Sequence, residues 1–246
     1  MNVDQRAARS AGVLFIVATI TVLVAAELVP TLTAADYLTG VADHPTQLSA
    51  ASLLYLVAAF SSVGVAVALY PVLRRFDGGL AMGSVVFRTI EAVFYIFEVV
   101  ILLSLWTLGQ QVVTAGTADG AYQAVGDSLV ASHDHAALAG VFAFSLGALL
   151  YYVVFYRSQL IPRWLSGWGI AGVLLMLTAC VLALFSNSEV TGYIPLILPI
   201  AVQEMVFAVW LLVKGFSNVE APTAVDGSLT DGTTPRSAPR QARSSA

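Results

Sequence analysis

The chain has 246 residues, 58% of them hydrophobic and 11% charged, with a net charge of −4 and a mean hydropathy of +0.84. A soluble domain carries about 25% charged residues, so most of this length belongs in an apolar solvent. The acidic balance and the lack of a basic stripe exclude nucleic acid as a partner. The single cysteine, Cys180, excludes an internal disulfide and the paired-cysteine metal sites.

Six apolar segments follow a short N-terminus of residues 1–10. They lie near residues 11–29, 50–73, 80–108, 136–156, 164–185 and 192–213. An apolar helix of about 20 residues crosses a ~30 Å hydrocarbon layer. Lipid offers no partner to an open strand edge. The expected fold is therefore all-α, a six-transmembrane-helix bundle in contact with the lipid bilayer.

Segment one also reads as a cleavable signal peptide, because Arg6 and Arg9 precede an apolar core and the small-residue run Val24-Ala25-Ala26. The third segment carries three charged residues. Residues 110–135 read as the longest connection, an outer loop. The fourth and fifth segments repeat small residues at helical spacing: Ala136 and Gly140, Ala143 and Gly147, Gly169 and Gly172. Such residues let helices approach closely. In the sixth segment Pro195 and Pro199 each remove a backbone hydrogen bond ahead of a polar pair, with a kink as the expected result. Residues 214–246 hold few large apolar side chains and read as a disordered cytoplasmic tail.

The basic residues outside the segments fall on alternate connections. Arg6 and Arg9 precede the first segment, Arg74 and Arg75 follow the second, and Arg157 and Arg163 separate the fourth from the fifth. Lys214, Arg236, Arg240 and Arg243 follow the sixth. Basic residues near segment ends are retained in the cytoplasm, so both termini are expected there. Trp106 at the outer end of the third segment, and Trp164, Trp168 and Trp210 at the inner ends, suit the two membrane interfaces. Ten arginines against one lysine suggest a GC-rich bacterial genome and hence a bacterial cytoplasmic (inner) membrane.

Four stretches then resemble a known family. They are Arg6-Ala-Ala-Arg9-Ser-Ala-Gly12, Ala66-Val-Ala-Leu69-Tyr70-Pro-Val-Leu73-Arg74, Phe87-Arg88-Thr-Ile-Glu91-Ala, and Tyr156-Arg157-Ser158-Gln-Leu160-Ile-Pro162-Arg163-Trp164-Leu165-Ser-Gly167. Together they resemble the bacterial DUF4386 family of multi-pass membrane proteins, over roughly residues 6 to 213. The resemblance implies a fold and a membrane location and lends no activity. Its members usually retain the first helix, which weighs against the signal peptide.

The third segment holds the main chemical signal. Ser84, Arg88, Glu91, Tyr95 and Glu98 are spaced by four, three, four and three. On a helix they share one stripe about 80° wide, and the other faces are apolar. Each central charge costs about 2.5–3.5 kcal/mol to insert, so the stripe must face the bundle interior or water. Arg88 and Glu91 can pair across one turn. Glu204, beside Gln203, lies ~18 Å into the sixth segment, and Glu91 lies ~16 Å deep counted from the cytoplasm. They can meet if the third and sixth helices are neighbours. One carboxylate can be neutralised by Arg88. The others require a proton, water or a bound cation.

A second cluster lies outside: His44, His133 and His135, beside Asp36, Asp43 and Asp134. Imidazole with carboxylate can bind a transition metal, and His44, His133, His135 and Asp134 are the weak candidates. No H-E-x-x-H spacing is present. Phosphate-binding glycine loops, a G-x-S-x-G elbow and a regular arginine ladder are also absent, and no cofactor is indicated.

Three readings of function stay open. The first is a small transporter or channel-like protein for a proton, cation or small cationic solute, using Arg88, Glu91 and Glu204. The second is a non-catalytic partner or scaffold subunit of another membrane protein, with a structural Arg–Glu network. The third is a membrane-embedded enzyme, less favoured than a non-enzymatic role.

Overall fold

The structure, a computed structural model, describes residues 3–116, 120–186 and 188–217. Seven α-helices account for nearly all of them: α1 (Val3–Leu28), α2 (Tyr37–Asp43), α3 (Pro45–Leu73), α4 (Gly78–Ala115), α5 (Gly120–Ser158), α6 (Arg163–Ser186) and α7 (Ile194–Val213). A single 3-10 turn, Val190–Tyr193, leads into α7. All but the short α2 are long and apolar enough to cross a membrane. The expected all-α six-helix bundle is the observed one.

The six long helices pack in a ring that follows chain order. Each of α1, α3, α4, α5 and α6 packs against the next, and α7 returns to α1. Ala8, Ala11 and Phe15 of α1 are fully buried, so the first helix is a structural member that closes the ring. Side chains fill the middle in two apolar clusters. One, nearer the termini, contains Phe15, Leu69, Tyr151, Tyr152, Phe155 and Phe207. The other contains Tyr37, Leu38, Leu48, Tyr55, Leu102 and Leu105.

Outward faces stay apolar, with Phe60, Leu53 and Phe185 largely exposed. Lipid tails are as apolar as leucine, so burying such groups in the bundle gains little, and close backbone approach must hold the helices. The small residues supply it. A Cβ on Gly140 would lie 3.2 Å from Phe94 Cβ, and one on Gly172 would lie 3.1 Å from the Ile200 backbone.

Short connections set the order. Asp77 caps α4 by accepting the Leu80 amide at 2.9 Å. At the far end Gly116, with φ 69°, takes the left-handed cap conformation that glycine adopts without a Cβ clash. Gln159 (φ 57°) ends α5, and the Pro162 carbonyl accepts the amides of Leu165 and Ser166 to begin α6.

Two expectations change. The described residues of 110–135 are largely helical rather than a loop: α4 continues to Ala115 and α5 already begins at Gly120. Apolar length measures only the part of a helix inside hydrocarbon. Here both helices run on beyond it and pack against α2. The Gln110 side-chain amide donates to the Ala42 carbonyl at 3.0 Å, Tyr37 donates to Asp127 at 2.9 Å, and Gly109 lies directly under the Leu38 carbonyl. Pro195, in turn, sits in the first turn of α7, where its missing N–H breaks no helical bond. Only Pro199 lies inside that helix.

The two ends of the described chain lie at one end of the bundle with Arg74, Arg75, Arg157 and Arg163, since an even number of spans returns the chain to its starting side. Arg75 pairs there with Asp4. Ser217 closes the described chain, its amide bonded to the Leu160 carbonyl at 2.9 Å, while Phe216 stacks on Phe155. The rest of the tail expected from residue 214 onward lies outside the described residues.

Candidate functional site

The polar stripe of α4 faces the interior. Ser84, Arg88, Glu91 and Glu98 are buried and Tyr95 is half-buried. Its centre lies between the two apolar clusters. Arg88 Nη1 is 3.2 Å from Glu91 Oε2, both side chains almost wholly enclosed. Nevertheless, Nη1 and Nε of Arg88 make no hydrogen bond within the protein. The contact is one of charge rather than of aligned donor and acceptor. Aromatic faces complete the cage, with the Phe144 centroid 4.9 Å from the guanidinium carbon and that of Phe15 at 6.0 Å. A ring quadrupole attracts a desolvated cation, which offsets part of the burial cost.

Glu91 has a second partner from another helix. Ser62 of α3 donates to Glu91 Oε2 at 2.7 Å. Beside them is a cavity of about 50 Å³, lined by Ala18, Thr19 and Val22 of α1, Ala58 and Ser62 of α3, Glu91 and Tyr95 of α4, and Phe144 of α5. A site needs about 10–15 Å³ of such volume, with polar partners, to hold a water.

Glu204 and Gln203 are buried on α7, which does not pack closely against α4 and occupies the opposite side of the ring. The third and sixth spans are therefore not neighbours, and charge is what links them across the ring. Glu204 lies within electrostatic reach of Arg88 and Glu91, and Tyr151 donates to Glu204 Oε1 at 3.3 Å. Tyr152 donates to Gln203 Oε1 at 2.6 Å, and Gln203 Nε2 donates to the Leu165 carbonyl at 3.1 Å. This chain of bonds ties α5, α6 and α7 together. Ser62, Tyr151 and Tyr152 are thus members that the sequence reading did not place in the network. Hydroxyls in an apolar helix have no spacing signature.

The outer cluster separates. His133 lies on α5, its Nε2 4.0 Å from Glu98 Oε2 and its Nδ1 3.7 Å from Asp134. His135 borders a different cleft with Asp134, Ser188 and Glu189. His44 Nδ1 lies 2.8 Å from its own turn's Gly40 carbonyl. Among the described residues no three His, Cys, Asp or Glu side chains are grouped to hold a metal ion.

A ring of six membrane-spanning helices around a buried charge network defines a multi-pass integral membrane protein. The family model described as a domain of unknown function (DUF4386) matches residues 10–215, and the chain belongs to that family. No curated protein and no solved structure matches it.

Proposed function

We propose that this protein is a small transporter or channel-like protein that passes a proton or a small cation through the helix ring. Glu91 is the exchanging group, and Arg88 and Glu204 set its charge balance. One observation carries the reading. The Glu91 carboxylate borders a cavity of about 50 Å³ together with Ser62 and Tyr95, in the middle of a membrane-spanning helix. Intramembrane ionisable residues are costly and mark ion pathways. Interior carboxylates outnumber the one guanidinium, so the excess favours a positive passenger. The cavity suits an ion or water, whereas sites for organic ligands span about 300–1,000 Å³, which counts against an organic substrate at Glu91.

The basic residues at the termini end support a cytoplasmic position for that end, and the arginine-rich composition supports a bacterial inner membrane. The competing reading is a structural network in a scaffold or partner subunit. It is favoured by the bonds from Tyr152 through Gln203 to Leu165, which serve packing whatever else the protein does.

Thermal unfolding of detergent-purified protein, across pH and a panel of alkali, alkaline-earth and transition-metal cations, separates the two. A ligand that binds only the folded state raises its stability. The ion pathway predicts a rise in Tm with one ion that Glu91→Gln removes. No rise with any ion or pH, with the variant merely unstable, supports the structural reading.

A further inference from the structure

We propose that the ion is a proton and that it enters from the end opposite the termini through His133 and Glu98, which pass it along α4 to Glu91. This rests on the transport reading above and names its passenger and entrance.

The geometry is a line of exchangeable groups on one face. His133 Nε2 is buried without a hydrogen-bond partner in the protein and points to Glu98 Oε2 at 4.0 Å. Glu98 is itself 3% exposed. Two turns along the same helix stands Glu91, ~10 Å away by helical rise. Tyr95 lies between them on the stripe and lines the cavity that Glu91 borders. The groups bearing on Glu98 are Tyr55 from α3, His133 and Asp134 from α5, and Glu91 and Tyr95 from its own helix. The third helix on α4, α2, packs near Gly109, about three turns away. No lysine or arginine stands among these groups, so the imidazole is the one among them that can carry positive charge.

The transfer balances. A proton taken up at His133 Nδ1, on the side of the partly exposed Asp134, makes an imidazolium that releases its Nε2 proton to the Glu98 carboxylate, leaving a neutral imidazole and a carboxylic acid. The acid releases it toward the cavity, with water or the Tyr95 hydroxyl accepting one proton as it gives up another. Glu91 takes the proton and Glu98 returns to carboxylate. Tyr95 stands between the two carboxylates on the stripe, and its hydroxyl can relay a proton but not a metal cation.

Full-length protein in liposomes, with an internal pH dye and a potential set by potassium and valinomycin, reads this directly. Sodium flux is measured alongside, and potassium flux in separate vesicles without valinomycin. Wild type is expected to carry protons, and Glu98→Gln and His133→Ala to slow the flux by about a hundredfold. Added imidazole is expected to restore flux to His133→Ala, an effect that lost packing would not produce. Should Glu98→Gln fail to fold, His133→Ala and its rescue decide. Proton flux that depends on Glu91 but survives both other changes overturns the entrance. Flux of a metal cation without protons overturns the passenger and leaves the transport reading standing. No flux of any ion overturns both.

Discussion

Arg88 Nη1 stands 3.2 Å from Glu91 Oε2 across one turn of α4, yet neither Nη1 nor Nε forms a hydrogen bond within the protein. The pair is held by charge and by aromatic faces, and it is the joint between the two apolar clusters.

Removing one partner leaves the other buried alone, at a cost of about 3–5 kcal/mol. Arg88→Met and Glu91→Leu should therefore each lower stability by about this amount. The double variant should recover much of the loss, because neither member of the pair is then stranded. Chemical unfolding in detergent measures this cycle. A double variant as unstable as the sum of the singles contradicts the pairing.

A methyl group at Gly169 would lie 2.7 Å from the Tyr152 ring. Tyr152 must then move and give up its 2.6 Å bond to Gln203. Gly169→Ala should cost about 1–3 kcal/mol. Gly40→Ala, with nothing within 4 Å of the new methyl, serves as the control and should lose little. Melting temperatures of the two variants compare them.

Tyr37 lies outside the spans. Burial, reinforced by the bonded Asp127 carboxylate, pushes its phenol up from 10.0 to about 12. The sign follows: the unfolded chain loses this proton first, so stability is full below pH 10.0 and falls as pH rises toward about 12. Wild type should lose Tm more steeply than Tyr37→Phe over that interval. Parallel slopes would show that the phenol stays wet.

Topology is testable with the lone cysteine removed. In a Cys180→Ser background, a membrane-impermeant maleimide on intact cells should label an Ala124→Cys variant and spare Gln5→Cys. Both native residues are exposed, so access rather than burial decides. The reverse pattern contradicts the orientation inferred from the basic residues.

The six spans were legible because hydrocarbon imposes a length and an apolar content on each helix. The inward face of α4 was legible for a related reason: Arg88, Glu91 and Glu98 cannot face lipid cheaply. Residues 110–135 were misread as a loop because nothing in hydropathy marks a helix that continues past the membrane and finds a partner in α2. The charge interaction between Arg88 and Glu204 was not legible either. It depends on α4 and α7 facing each other across a ring, and on Tyr151 and Phe15 filling the space between, neither of which leaves a mark on spacing.

The most direct test of the central claim is ion flux through wild type and Glu91→Gln reconstituted in liposomes, with folding of both checked by melting. The claim predicts flux of a proton or small cation in wild type and its loss in a folded Glu91→Gln. Equal flux in the two, or none in wild type, contradicts a carrier role for Glu91.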